Sequence, residues 1–165
     1  MKKSRRKRSR KKVMATTMTV LIIMFIVVLQ LSNVHEPSES RLEVILYKTP
    51  ECGCCSSYAE YLSVNKYKVE TVDLTYQGLT RLKQELKIPR ELWSCHTLII
   101  DNYTIEGHVP IAAIEKLLME SPNIDGIAVP GMPPGAPGMP GYSSKIVVYY
   151  YNSGEYGVFY VETAT

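Results

Sequence analysis

The chain has 165 residues, with 19 Lys and Arg against 16 Asp and Glu, a formal charge of +3 that averages two unlike parts. Nine of the basic residues lie in the first twelve positions and no acidic residue precedes Glu36; beyond Lys12 the count is 10 basic against 16 acidic, a formal −6. A body of that sign excludes a nucleic-acid-binding fold, 45% apolar content excludes wholesale disorder, and four Cys are too sparse for a disulfide-stapled mini-protein.

Behind the basic tail (1–12), Val13 to Leu31 runs for nineteen residues without a charge. As a helix rising about 1.5 Å per residue, such a stretch covers roughly the 30 Å hydrocarbon core of a bilayer. The positive-inside rule keeps the tail cytoplasmic and sends the rest across. Residues 13–31 are therefore expected to be a single-pass transmembrane signal anchor, with the C-terminal domain extracytoplasmic at the cell membrane. A cleavable signal peptide is the competing reading, but no A-x-A-like site follows. Residues 32–41 read as a polar linker, and 42–165 as one compact domain.

Within that domain Val44–Tyr47 is an apolar strand, ended by Thr49-Pro50. Glu51 is expected to cap the helix that follows, which carries Tyr58, Tyr61 and Leu62 at helical spacing. Lys68 to Leu74 alternates as a second strand, with Glu70, Val72 and Leu74 on one side. Leu79, Leu82 and Leu86 mark a second helix, stopping before Pro89. Thr97–Ile100 and Tyr103–Ile105 form a hairpin about Asp101-Asn102. Pro110 opens a third helix with an inner stripe of Ile111, Ile114, Leu117 and Leu118. The order β-α-β-α-β-β-α predicts an α/β fold, a thioredoxin-like mixed sheet. Pro130 to Gly141, with five Pro, four Gly and two Met, is a stiff irregular loop. Lys145–Tyr151 and Tyr156–Glu162 add a C-terminal β-hairpin about Asn152-Ser153-Gly154-Glu155.

Chemistry concentrates at Cys52-Gly53-Cys54-Cys55, between the first strand and the first helix, where the helix dipole favours thiolates. Cys95 precedes the third strand, on a loop facing that helix terminus in this topology, so all four sulfurs are expected to converge. Ser94-Cys95-His96-Thr97 stands where a thioredoxin-like core usually has a proline. A dithiol oxidoreductase needs only two thiols. A tetrahedral zinc site draws on well-separated pairs, because adjacent cysteines do not easily aim both sulfurs at one ion. Cu(I) tolerates low coordination and thiolate bridging, so crowded cysteines suit more than one such ion. Met132 and Met139 of the Pro-rich loop offer thioethers to the same metal, and His108 an imidazole. Copper on Cys52, Cys54, Cys55 and Cys95 is the leading reading of the residues, with zinc the lesser alternative.

The strings YKTPECGCC, LWSCHT, IEGHVP and AVPGMPPGAPGM, in order from about Tyr47 to Met139, resemble those of the CopG-type copper-resistance proteins. The resemblance implies a thioredoxin-like fold, thiolate-bound copper and a role in handling excess copper. Position by position it carries over Cys52, Cys54 and Cys55, then Cys95 and His96, then His108, then Met132 and Met139. The chain departs from the family in its long basic tail and uncleaved anchor, where a cleaved export signal is expected. The expected partners are copper ions, the membrane through 13–31 and other copper-handling proteins; no nucleic acid is among them.

Blander readings stand beside these. A purely structural disulfide leaves the crowding of the cluster unexplained; a redox disulfide between Cys52 and Cys55 is the serious rival and is compatible with metal binding, since its oxidation would release a metal. Cys95 reads otherwise as a small buried hydrophobe, the histidines as hydrogen-bonded structural residues, the methionines and Trp93 as packing. A thiol–disulfide oxidoreductase using the CGCC cysteines is the alternative function. Ser/His/Asp, phosphate-loop and paired-carboxylate motifs are absent, so hydrolase and kinase chemistry has no support.

Overall fold

The structure, a computed structural model, describes residues 18–26 and 42–163. They belong to two units, Met1–Ser40 and Arg41–Thr165. In the first unit 18–26 is helical and its apolar side chains are exposed. Nine helical residues rise about 14 Å, half of the roughly 30 Å a bilayer core requires. Among the described residues no helix is long and apolar enough to cross a membrane, so the expected spanning helix is not observed. The rest of that span, 13–17 and 27–31, lies outside the described residues, as do the tail 1–12 and the linker from 32 to 41.

The second unit is a mixed α/β domain. Its elements are β1 (Glu43–Lys48), α1 (Gly53–Val64), β2 (Lys68–Asp73), α2 (Tyr76–Glu85), a 3-10 turn (Arg90–Leu92), β3 (Thr97–Ile100), β4 (Tyr103–Glu106), α3 (Ile111–Glu120), β5 (Gly126–Ala128), β6 (Lys145–Asn152) and β7 (Glu155–Thr163). The β-α-β-α-β-β-α connectivity expected of a thioredoxin-like core is present. Strand order is β2-β1-β3-β4-β5-β6-β7; β1 and β2 run parallel, β3 is antiparallel to both β1 and β4, and β5 is parallel to β4.

Two features depart from the sequence-based expectation. The helix after β1 begins at Gly53, so Cys54 and Cys55 lie in its first turn; the N-cap is Cys52 rather than Glu51, and no side chain caps it. A further strand, β5, joins β4 to β6, so the terminal hairpin extends one continuous seven-stranded sheet. On β2, Val72 and Leu74 are half-buried while Glu70, on the same side, is exposed.

The core lies between sheet and helices. Leu46, Leu98 and Ile105 from the strands meet Tyr58 and Leu62 of α1 and Ala113, Ile114 and Leu117 of α3. Each aliphatic side chain buried this way contributes about 1.5–3 kcal/mol. Leu79 on α2 is buried, and so, four residues on, is Lys83.

Candidate metal centre

Strand register brings the chemistry to one end of the sheet. Tyr47 pairs with Thr97 across β1 and β3, and Thr97 with Glu106 across β3 and β4. Cys52 lies five residues beyond Tyr47, Cys95 two before Thr97, and His108 two beyond Glu106. Glu106 also pairs with Ala128 of β5, so the Pro-rich loop leaves from the same end.

The four sulfurs meet as expected. Cys52 and Cys55 are joined as a disulfide, with Cα atoms 5.3 Å apart. Cys54 and Cys95 are free thiols. Cys54 Sγ lies 3.5 Å from Cys52 Sγ and 3.8 Å from Cys95 Sγ. Cys95 Sγ is in turn 3.1 Å from His108 Nε2 and 3.4 Å from His96 Nδ1. Two donor groups result, the four cysteines and the trio Cys95, His96 and His108, with the ligand atoms of each lying within 4.8 Å of one another. Cys95 belongs to both.

Hydrogen bonding fixes the state of one imidazole. His108 Nδ1 is 2.7 Å from the Pro137 carbonyl, which can only accept, so Nδ1 carries the proton and Nε2 presents its lone pair to Cys95. Burial lowers the His108 pKa, against the opposing pull of that carbonyl. His96 is fully buried and held well below its ordinary value by burial, then by His108 and Lys83. Its Nε2 has no hydrogen-bond partner. Burial, followed by the neighbouring Cys54, pushes the Cys95 thiol up to about 12. The dipole argument for ready thiolates therefore does not extend to Cys95: its thiol is neutral, beside neutral imidazoles, and an ion must displace the proton.

Tyr58 closes the site from below. Its ring lies 4.7 Å from that of His96 and 5.4 Å from that of His108, while its hydroxyl donates to the Val109 carbonyl at 2.8 Å. The Pro-rich loop packs against the same residue. Gly138 has φ +76°, and a Cβ there would sit 2.8 Å from the Tyr58 nitrogen, so only glycine permits the approach. Met139 packs on the core, whereas Met132 is 54% exposed, next to Gly131, which is bridged to Ser94.

A buried polar network carries the Cys95 segment. Glu106, fully buried, accepts from Lys83 Nζ, from the Ser94 amide at 2.6 Å and, through Oε2, from the Thr97 hydroxyl at 2.7 Å. Lys83 Nζ also donates to Thr97 Oγ1 at 3.0 Å. Burial drives both charges toward their neutral forms, and their mutual attraction opposes it. Gly107 follows at φ +76°, where a Cβ would lie 2.5 Å from Ser94 Oγ. The pairing of Lys83 with Glu106 escaped the sequence reading. The available signal was a Lys on the buried stripe of α2, one turn after Leu79.

A cleft of about 220 Å³ opens beside the sulfurs, lined among others by Cys52, Cys95, Lys83 and Trp93. Trp93 forms one wall, its Nε1 donating to the Ile88 carbonyl at 3.0 Å. The donor set is soft: thiols, imidazoles and one orphaned buried ring nitrogen suit a thiophilic ion of low coordination number.

Fold and donor set together define an α/β protein with a cysteine- and histidine-lined site at the end of a mixed sheet. Residues 92–139 match a family described as "Protein of unknown function, DUF411". Two solved structures, both named copper resistance protein CopG, superpose on the chain. Form 2 is 35% identical, with TM-score 0.67, covering 74% of this chain and 98% of that one. Form 1 is 34% identical, with TM-score 0.68, covering 75% and 99%. The chain belongs to the CopG-type copper-resistance family. No curated protein sequence matches it significantly.

Proposed function

We propose that this protein binds Cu(I) on its clustered cysteines, outside the cytoplasm and tethered to the membrane through 13–31, as part of copper resistance. The convergence of Cys52, Cys54, Cys55 and Cys95 with two neutral imidazoles carries the reading; the family name of its relatives supports copper. In the reduced protein four thiols surround one space, and Cys95, common to both donor groups, bridges two ions. His96 and His108 complete the coordination, with Met132 and Met139 as outer thioether donors. Chemically, the chain's own part is to surrender the Cys95 proton, present the His108 lone pair and exclude water behind Tyr58. Anaerobic titration of the reduced chain is expected to show more than one Cu(I) bound per molecule. Changing Cys52, Cys54 and Cys55 together to Ser should abolish that uptake, and weak uptake by the unaltered reduced protein would reject the proposal.

One observation favours a second reading. The Cys52–Cys55 disulfide has the spacing of a dithiol oxidoreductase, and Cys52 lines the open cleft while Cys55 is sealed. Thiol–disulfide turnover by metal-free protein, unaffected by chelator, would favour it.

A further inference from the structure

The disulfide removes two sulfurs from the cluster, yet the remaining donors stay in place. Cys54 and Cys95 are free and partly exposed, with their sulfurs 3.8 Å apart. His108 Nε2 lies 3.1 Å from Cys95 Sγ, with its lone pair directed there by the Nδ1 bond to Pro137. Neither the Pro137 contact nor the Glu106 grip on Ser94 passes through Cys52 or Cys55. We infer that the oxidised protein retains a one-ion Cu(I) site on the two free thiols, Cys54 Sγ and Cys95 Sγ, so that the disulfide sets copper capacity in steps rather than switching binding off.

The inference rests on the copper reading above and adds regulation to it. Metal–thiolate bonds of about 2.3 Å, spread about 120° apart, separate two sulfurs by about 4.0 Å. The free pair is already near that spacing at 3.8 Å. Two thiolates satisfy a soft monovalent ion of low coordination number. Additional ions need Cys52 and Cys55, which return only when a dithiol donates two electrons and two protons to the S–S bond and is itself oxidised to a disulfide.

The experiment compares the two redox forms of the full-length chain in detergent. Each is first defined by its free thiols after denaturation, two when oxidised and four when reduced, and then titrated anaerobically with Cu(I) against a chromogenic Cu(I) chelator. One ion per oxidised chain and more than one per reduced chain is the expected result. Cys54→Ser should lose the ion in the oxidised form, and a Cys52→Ser/Cys55→Ser double variant should bind one ion with or without reductant. Circular dichroism checks that each variant is folded, and the oxidised unaltered chain tests the site without any substitution. No uptake by the oxidised form, with several ions on the reduced form, overturns this inference and leaves the copper function standing. Equal uptake by the two forms, or a thiol count that rises from two to four during titration, also overturns it. Failure of both forms to bind overturns both readings.

Discussion

His96 and His108 are two imidazoles that the fold keeps neutral. Both are held below the ordinary histidine value of 6.5, chiefly by burial. Below about pH 6.5 the unfolded chain takes up protons that the native chain refuses. Stability present above that value is therefore lost as pH falls. The urea midpoint of reduced, metal-free protein is expected to drop between about pH 7.5 and pH 5, and His96→Gln should flatten the decline. A midpoint independent of pH would reject this account. At this scale the sequence was informative wherever residue type announces chemistry: three thiols in four positions, and a histidine after Cys95. It was silent where chemistry depends on an environment. That Cys95 holds its proton up to about 12 follows from burial and from Cys54, neither visible in a string of letters.

Between elements, the Lys83–Glu106 pair does the joining. Lys83 comes from α2, Thr97 from β3 and Glu106 from the end of β4, and Glu106 also holds the Ser94 amide beside Cys95. With side chains only 4% and 0% exposed, the pair cannot lose one member cheaply. Removing one partner of a buried ion pair typically costs about 3–5 kcal/mol, because the survivor is left uncompensated. Lys83→Met and Glu106→Leu should each lower the unfolding free energy by about that much, and the double variant by clearly less than the sum. Additive losses in denaturant titrations would show that the two do not act as a pair. Helix and strand positions were readable from apolar spacing, and the Asp101-Asn102 turn lies where two turn residues interrupt two β-rich runs. The start of α1 was misplaced because nothing in Gly53-Cys54-Cys55 signals a helix; its first turn lacks the side-chain cap that usually marks one. Lys83 was passed over because a charged residue on an inner stripe is read as a gap in that stripe.

Across the whole molecule, tether and domain answer to different physics. The proposed anchor rests on nineteen uncharged residues behind a cationic tail. Membrane fractions probed with an antibody to the C-terminal domain should contain the full-length chain; a shortened, wholly soluble product would overturn the anchor. The domain's α/β class and its convergence of sulfurs were legible because connectivity dictates which loops share an end of the sheet. The sheet's continuity was not. Three residues, Gly126–Ala128, are too few for any periodic signal, yet they are wholly buried and join β4 to β6.

That short strand makes a narrow seam. On either side of it the ladder is three residue pairs wide, against eight between β6 and β7. Gly126 is packed so tightly that a methyl group there would meet the Thr104 carbonyl oxygen at 2.0 Å. A tug on the C-terminal end therefore loads a joint three rungs across, and the tyrosine-rich ribbon would peel away as one flap before the strain reached the sulfurs on the far side.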